Sequence, residues 1–152
     1  MNGLKEIWKK VLVLAIPGGL GFWITNFAIS RTPIADQYRA ALSISYLPMI
    51  VESLIGGLIV GFFVSYCLFR FFAKIPTKHP ILKSVILSLI ALIIATILLE
   101  VPSHFLTPMG DALRYFLIGA LFNLIRFLAL GIVIGYLYGR FNKDERLWLN
   151  CQ

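Results

Sequence analysis

The sequence predicts an all-α integral membrane protein, with four transmembrane helices in one antiparallel bundle and both termini on the cytoplasmic side. Three observations lead there. First, the chain of 152 residues is 59% hydrophobic and only 14% charged, with a mean hydropathy of +0.87, whereas soluble domains carry about 25% charged residues. Second, the apolar residues fall into four runs, residues 11–29, 49–72, 81–101 and 115–138, each near the roughly 20 helical residues that cross a hydrocarbon core. These runs lack the apolar–polar alternation of a barrel strand, and a helix satisfies its own backbone in lipid. Third, the basic residues gather at the ends of the runs.

Lys5, Lys9 and Lys10 precede the first run; Arg70, Lys74, Lys78 and Lys83 flank the second connection; Arg140, Lys143 and Arg146 follow the fourth run. The other two connections carry only Arg31, Arg39 and Arg114. By the positive-inside rule the termini and the second connection are cytoplasmic, and the chain is a multi-pass protein of the cell membrane. The net charge of +7 then reports orientation and contact with anionic membrane lipids, and implies no nucleic-acid partner. The first run exceeds the 7–15 apolar residues of a signal peptide, so it reads as an uncleaved anchor.

Short connections imply a single domain, residues 1–152, whose neighbouring helices pack directly. In the first connection Thr32 is a suitable N-cap and Pro33 fits the first helical position, which predicts a short interfacial helix over residues 33–43. Its apolar side reads as Ile34, Tyr38, Ala41 and Leu42. Thr107-Pro108 repeats the start signal, so the fourth helix is expected to begin there and end near Gly139.

The first run contains Leu14–Trp23, LAIPGGLGFW. Pro17 removes a backbone donor where no water can replace it, which predicts a kink. Gly18, Gly19 and Gly21 open room around it for a close helix crossing. Other small residues recur at helical spacing: Ser53, Gly57, Gly61 and Ser65; Ser84, Ser88, Ala91 and Ala95; Gly131, Gly135 and Gly139. Such rows let backbones approach closely. Their number predicts packing surface beyond the needs of four helices, and hence a homo-oligomer or another membrane subunit.

Charged residues at depth cost about 2.5–3.5 kcal/mol on insertion scales, so each is a candidate for function. Arg126 lies near the middle of the fourth run, with Asn123 one turn before it. Glu52 and Ser53 on the second run and Thr25 and Asn26 on the first reach a similar height, giving a candidate polar pocket of Arg126, Glu52, Asn123, Asn26, Thr25 and Ser53. Arg126 is expected to donate to carbonyls of the first helix or to Asn26. Glu100 and His104, four apart across Pro102, form a weaker candidate for a metal or a proton. Cys67 and Cys151 form no CxxC pair, no histidine lies within a run, and no cofactor is implied.

The leading functional expectation is a structural, assembly or regulatory subunit acting through its glycine-rich faces. The alternative is a transporter or channel-like protein whose outward pocket takes an anionic solute or couples to protons. A lipid-modifying enzyme ranks third, because no nucleophile–base pair or set of catalytic carboxylates is evident, and the expectation is of a non-enzyme.

Overall fold

The structure is a computed structural model that describes the backbone of residues 2–72, 74–102 and 111–150, and the side chains of residues 5–72, 74–102 and 111–141. The described chain is helical throughout its regular elements: α1 (Asn2–Ile29), α2 (Pro33–Ala41), α3 (Tyr46–Phe71), α4 (Pro80–Ala95), a π-helical turn (Thr96–Glu100) and α5 (Ala112–Asn150). Four helical segments, Lys5–Ile29, Tyr46–Phe71, Pro80–Glu100 and Ala112–Phe141, are long and apolar enough to cross a membrane.

The element ends follow local chemistry. Thr32 caps α2 by accepting the Ala35 N–H at 3.3 Å, and Pro33 opens the helix. Pro80 likewise opens α4. Asp111, in the left-handed region at φ 60°, leads into α5. That helix continues past Gly139 to Asn150, further than expected, because residues 140–150 contain neither proline nor glycine to stop it. The start signal at Thr107-Pro108 lies outside the described residues.

α1 and α5 carry the core. The buried stripe of α1 runs through Val11, Leu14, Ala15, Gly18, Gly19, Phe22, Asn26 and Ser30, the three- and four-residue spacing of one helix face. Gly19 meets Leu58 of α3, whereas Gly18 faces Ile134 and Gly21 faces Val133, both on α5. The helix continues through Pro17, and its glycines seat α1 between two neighbours. α5 turns its opposite flank to α4, with Gly131 against Val85 and Ser88, and Gly135 against Pro80 and Ile81. Leu14, Phe22, Val64, Leu68, Ala91, Phe127, Leu130, Ile134 and Tyr138 form the apolar centre.

The glycine approaches are backbone to backbone. A Cβ on Gly57 would lie 2.9 Å from the Gly19 carbonyl oxygen, and one on Gly61 would lie 2.7 Å from that of Ala15. The rows at Gly57 and Gly61 and at Gly131 and Gly135 are thus occupied within the chain. Gly139 lies in ordinary contact distance of Pro80. Gly56 differs: a Cβ there would meet nothing within 4 Å.

These contacts give a matched pair. Gly61→Leu drives a side chain into the Ala15 carbonyl and is expected to lower the melting temperature in detergent by several degrees or to abolish monodisperse protein. Gly56→Ala, made in open space, is expected to leave it unchanged or raise it slightly, by at most about 1 kcal/mol of helix propensity. Equal effects in the two variants would contradict this packing.

Candidate functional site

Three polar side chains from two transmembrane segments meet at the end of the bundle that carries α2. Asn123 Nδ2 donates to Glu100 Oε1 at 2.6 Å, and Arg126 Nη1 donates to Asn123 Oδ1 at 3.0 Å. Arg126 and Asn123 are three residues apart on α5 and so share a face. The amide orientation follows from chemistry, since only the Nδ2 end can donate to a carboxylate and only the oxygen can accept from a guanidinium. Asn123 therefore links an anion to a cation with its dipole aligned to both.

The position of Glu100 depends on the π turn. On α4 the stripe facing α5 runs through Ser84, Ser88 and Ala91 toward Ala95. A regular α-helix would place Glu100, five residues beyond Ala95, about 140° away from that stripe. The Val101 N–H instead donates to the Thr96 carbonyl, a wider turn that rotates less per residue and brings Glu100 back toward α5. Single π turns inside α-helices recur at functional sites.

α2 closes over this network. The Tyr38 ring packs edge-on against Phe122 at 5.8 Å and Tyr115 at 6.4 Å. A Cβ on Gly119 would lie 2.7 Å from the Tyr38 hydroxyl and 3.1 Å from Glu100 Oε2, so both oxygens converge on the bare face of that glycine. Arg39 ties α2 down by pairing with Asp36, donating to the Ser30 carbonyl at 3.3 Å and lying over the Tyr46 ring at 4.8 Å. The inward side of α2 comprises Ala35, Tyr38, Arg39 and Leu42; Ile34, expected there, is 54% exposed, and Ala41 also faces out.

Burial pushes the Tyr38 hydroxyl up to about 12 from its ordinary 10.0, with the charge of Glu100 adding to the rise and that of Arg126 opposing it. Tyr38 is therefore a protonated donor throughout the physiological range.

Of the six residues expected to form the pocket, Arg126 and Asn123 meet by direct hydrogen bonding. Asn26 is 1% exposed, and neither atom of its amide has a hydrogen-bond partner among the described residues. It lies one turn beyond Phe22, whose ring packs edge-on against Phe127 of α5 at 5.5 Å. Arg126 precedes Phe127 and leans toward the start of its helix, which brings its head to the level of Asn26. The expected bond from Arg126 to Asn26 does not form, because Asn123, one turn away and oriented by Glu100, takes the guanidinium instead. Arg126 Nε is buried without a hydrogen-bond partner among the described residues.

Thr25 and Ser53 bond their own helices, to the Gly21 carbonyl at 2.8 Å and the Ile50 carbonyl at 2.9 Å. Glu52 is exposed: five residues before Gly57, which faces α1, it points about 140° away from that contact. The acid of the site is Glu100. The sequence pairs Glu100 with His104 as a candidate for a metal or a proton, and His104 lies outside the described residues. Among the described residues no group of three metal-ligating side chains occurs. Tyr38 and Gly119 were also missed. The spacing of Gly119, Asn123 and Arg126 on one helix face was the available signal for the latter.

Comparison of the chain with protein families, with characterised proteins and with solved structures finds no match. The functional reading therefore stands on geometry.

The Tyr38 arrangement predicts a pH dependence. A hydroxyl whose pKa is higher folded than unfolded adds stability below pH 10 that is lost as pH rises toward 12. The melting temperature of the wild type is expected to fall more steeply across that interval than that of Tyr38→Phe. Superimposable profiles would show that Tyr38 is not held in this environment.

Proposed function

We propose that this chain is a non-catalytic, multi-pass protein of the cell membrane that binds a small anionic solute together with a proton in the outer half of its bundle. The carrying observation is the state of Arg126. Among the described residues Nη1 donates to Asn123, while Nε is buried without a hydrogen-bond partner, and a guanidinium offers five donors matched to carboxylate or phosphate oxygens. The unpartnered amide of Asn26 at the same level supports the reading.

Ala15 and Gly19 of α1 meet Gly61 and Gly57 of α3 in reverse order, and the same holds for Gly18 and Phe22 against Ile134 and Phe127 of α5. This supports an antiparallel bundle. With the basic ends inside, both termini are cytoplasmic and α2 lies on the outer face, an orientation checked by labelling single cysteines at Lys78 and Arg39 from either side.

Charge balance suggests how such a site would work. Without a solute, Glu100 compensates Arg126 through Asn123. An anion on Arg126 would leave an uncompensated negative charge in a low-dielectric space, a costly arrangement. A proton taken up with the anion restores neutrality, so the two bind together. Tyr38 and α2 stand between the network and the outer solution and control access.

Acetate and inorganic phosphate serve as probes, with thermal stabilisation in mild detergent as the readout. At least one is expected to raise the melting temperature of the wild type more at pH 5 than at pH 8. Glu100→Gln, which removes the carboxylate that competes with the anion for Arg126, is expected to be stabilised at both, and Arg126→Gln at neither. No stabilisation of the folded wild type, or the same stabilisation in Arg126→Gln, would overturn the proposal.

The expectation of an assembly subunit loses one support here, since the rows at Gly57, Gly61, Gly131 and Gly135 are filled within the chain. Another part of the surface keeps it alive.

A further inference from the structure

The second transmembrane helix turns a carboxylate toward the surroundings of the bundle. Glu52 is exposed, lies in the apolar segment Tyr46–Phe71, and makes no hydrogen bond or ion pair with any described residue. It sits six residues into α3, about 9 Å along the axis, below the Tyr46 end where the segment begins. Val51, Ile55, Ile59 and Phe63 around it are 50–63% exposed, as residues that contact lipid are.

One turn along the same face lies Gly56, whose Cβ position is open. The tightly packed glycines press on neighbours within the chain, so the bareness of Gly56 serves no contact inside it. An open glycine directly beneath an unpaired carboxylate provides what association in lipid requires, a groove for close approach and a polar group seeking a partner.

We propose that the face of α3 bearing Glu52 and Gly56 docks a transmembrane helix of another protein that carries a lysine or arginine at matching depth. Charge selects this occupant. A second copy docked through the same face about a two-fold axis would set Glu52 against its own equivalent, and two carboxylates at that depth repel. A basic residue neutralises Glu52 and removes two desolvated charges from lipid at once. Arg is the better fit because its guanidinium meets a carboxylate through two parallel bonds. Neither Glu52 nor Gly56 belongs to the Glu100–Asn123–Arg126 site, so the proposal stands independently of solute binding.

The test uses the full chain in phosphatidylcholine vesicles and synthetic single-span leucine–alanine helices as probes, with resonance energy transfer between labelled protein and labelled helix. One probe carries Arg at the depth of Glu52 and the other carries Leu there. The Arg probe is expected to associate about tenfold more tightly than the Leu probe. Glu52→Gln is expected to erase that preference, and Gly56→Leu to weaken association with the Arg probe, while both variants melt as the wild type does. Equal association of the two probes would overturn the proposal, as would a preference that survives Glu52→Gln. Self-association of the protein that Gly56→Leu abolishes would assign the face to a second copy and overturn it too.

Discussion

A guanidinium enclosed by apolar helices has no water to hydrogen-bond it, so protein groups must both compensate its charge and accept its protons. In this bundle Arg126 sets that requirement; Glu100 and Asn123 meet it in part, and Nε keeps no hydrogen-bond partner among the described residues. The rest of the α2 end follows. Asn123 has to sit one turn before Arg126, the chain after Ala95 has to open into a π turn to bring Glu100 round, and Gly119 has to lack a side chain where the Tyr38 hydroxyl and Glu100 converge. The hydrogen bonds are short links between neighbours, yet they join α4 to α5, and the Tyr38 ring adds α2.

The rest of the bundle is held by other means. Gly57 and Gly61 admit the backbone of α1, and Gly131 and Gly135 admit that of α4, so dispersion over close contacts replaces polar bonding. Toward the hairpin between α3 and α4, Lys83 is 6% exposed, donates to the Phe72 carbonyl and lies 3.8 Å over the Phe72 ring, whose neighbour is Tyr138 at 4.8 Å. Glycine contacts through the rest of the bundle support the end in which charges are arranged, and the helix of nine residues above that end is held through Tyr38 and Arg39.

Much of the fold was legible from the sequence because membrane helices announce themselves by length and apolarity, and Thr32-Pro33 marks a helix start by specific chemistry. The site was legible only in part. Arg126 and Asn123 share one helix, so their spacing alone placed them on one face, although the bond was expected to run from Arg126 to the first helix. Glu52 was assigned to the pocket by its height, but height carries no information about which way a residue faces, and the phase relative to Gly57 turns it outward. Glu100 could not be placed because a π turn has no clear sequence signature and alters the phase of everything after it. The glycine rows at Gly57, Gly61, Gly131 and Gly135 meet neighbours within the chain, and a sequence does not say which neighbour fills such a row.

The central claim is that Asn123 couples Glu100 to Arg126 inside the bundle. A double-mutant cycle with Glu100→Gln, Arg126→Gln and the pair, measured by unfolding in detergent with and without Asn123→Leu, tests it most directly. A coupling of about 1 kcal/mol or more between Glu100 and Arg126 is expected, reduced when Asn123 is replaced. Additive effects of the two charge changes in the presence of Asn123 would contradict it.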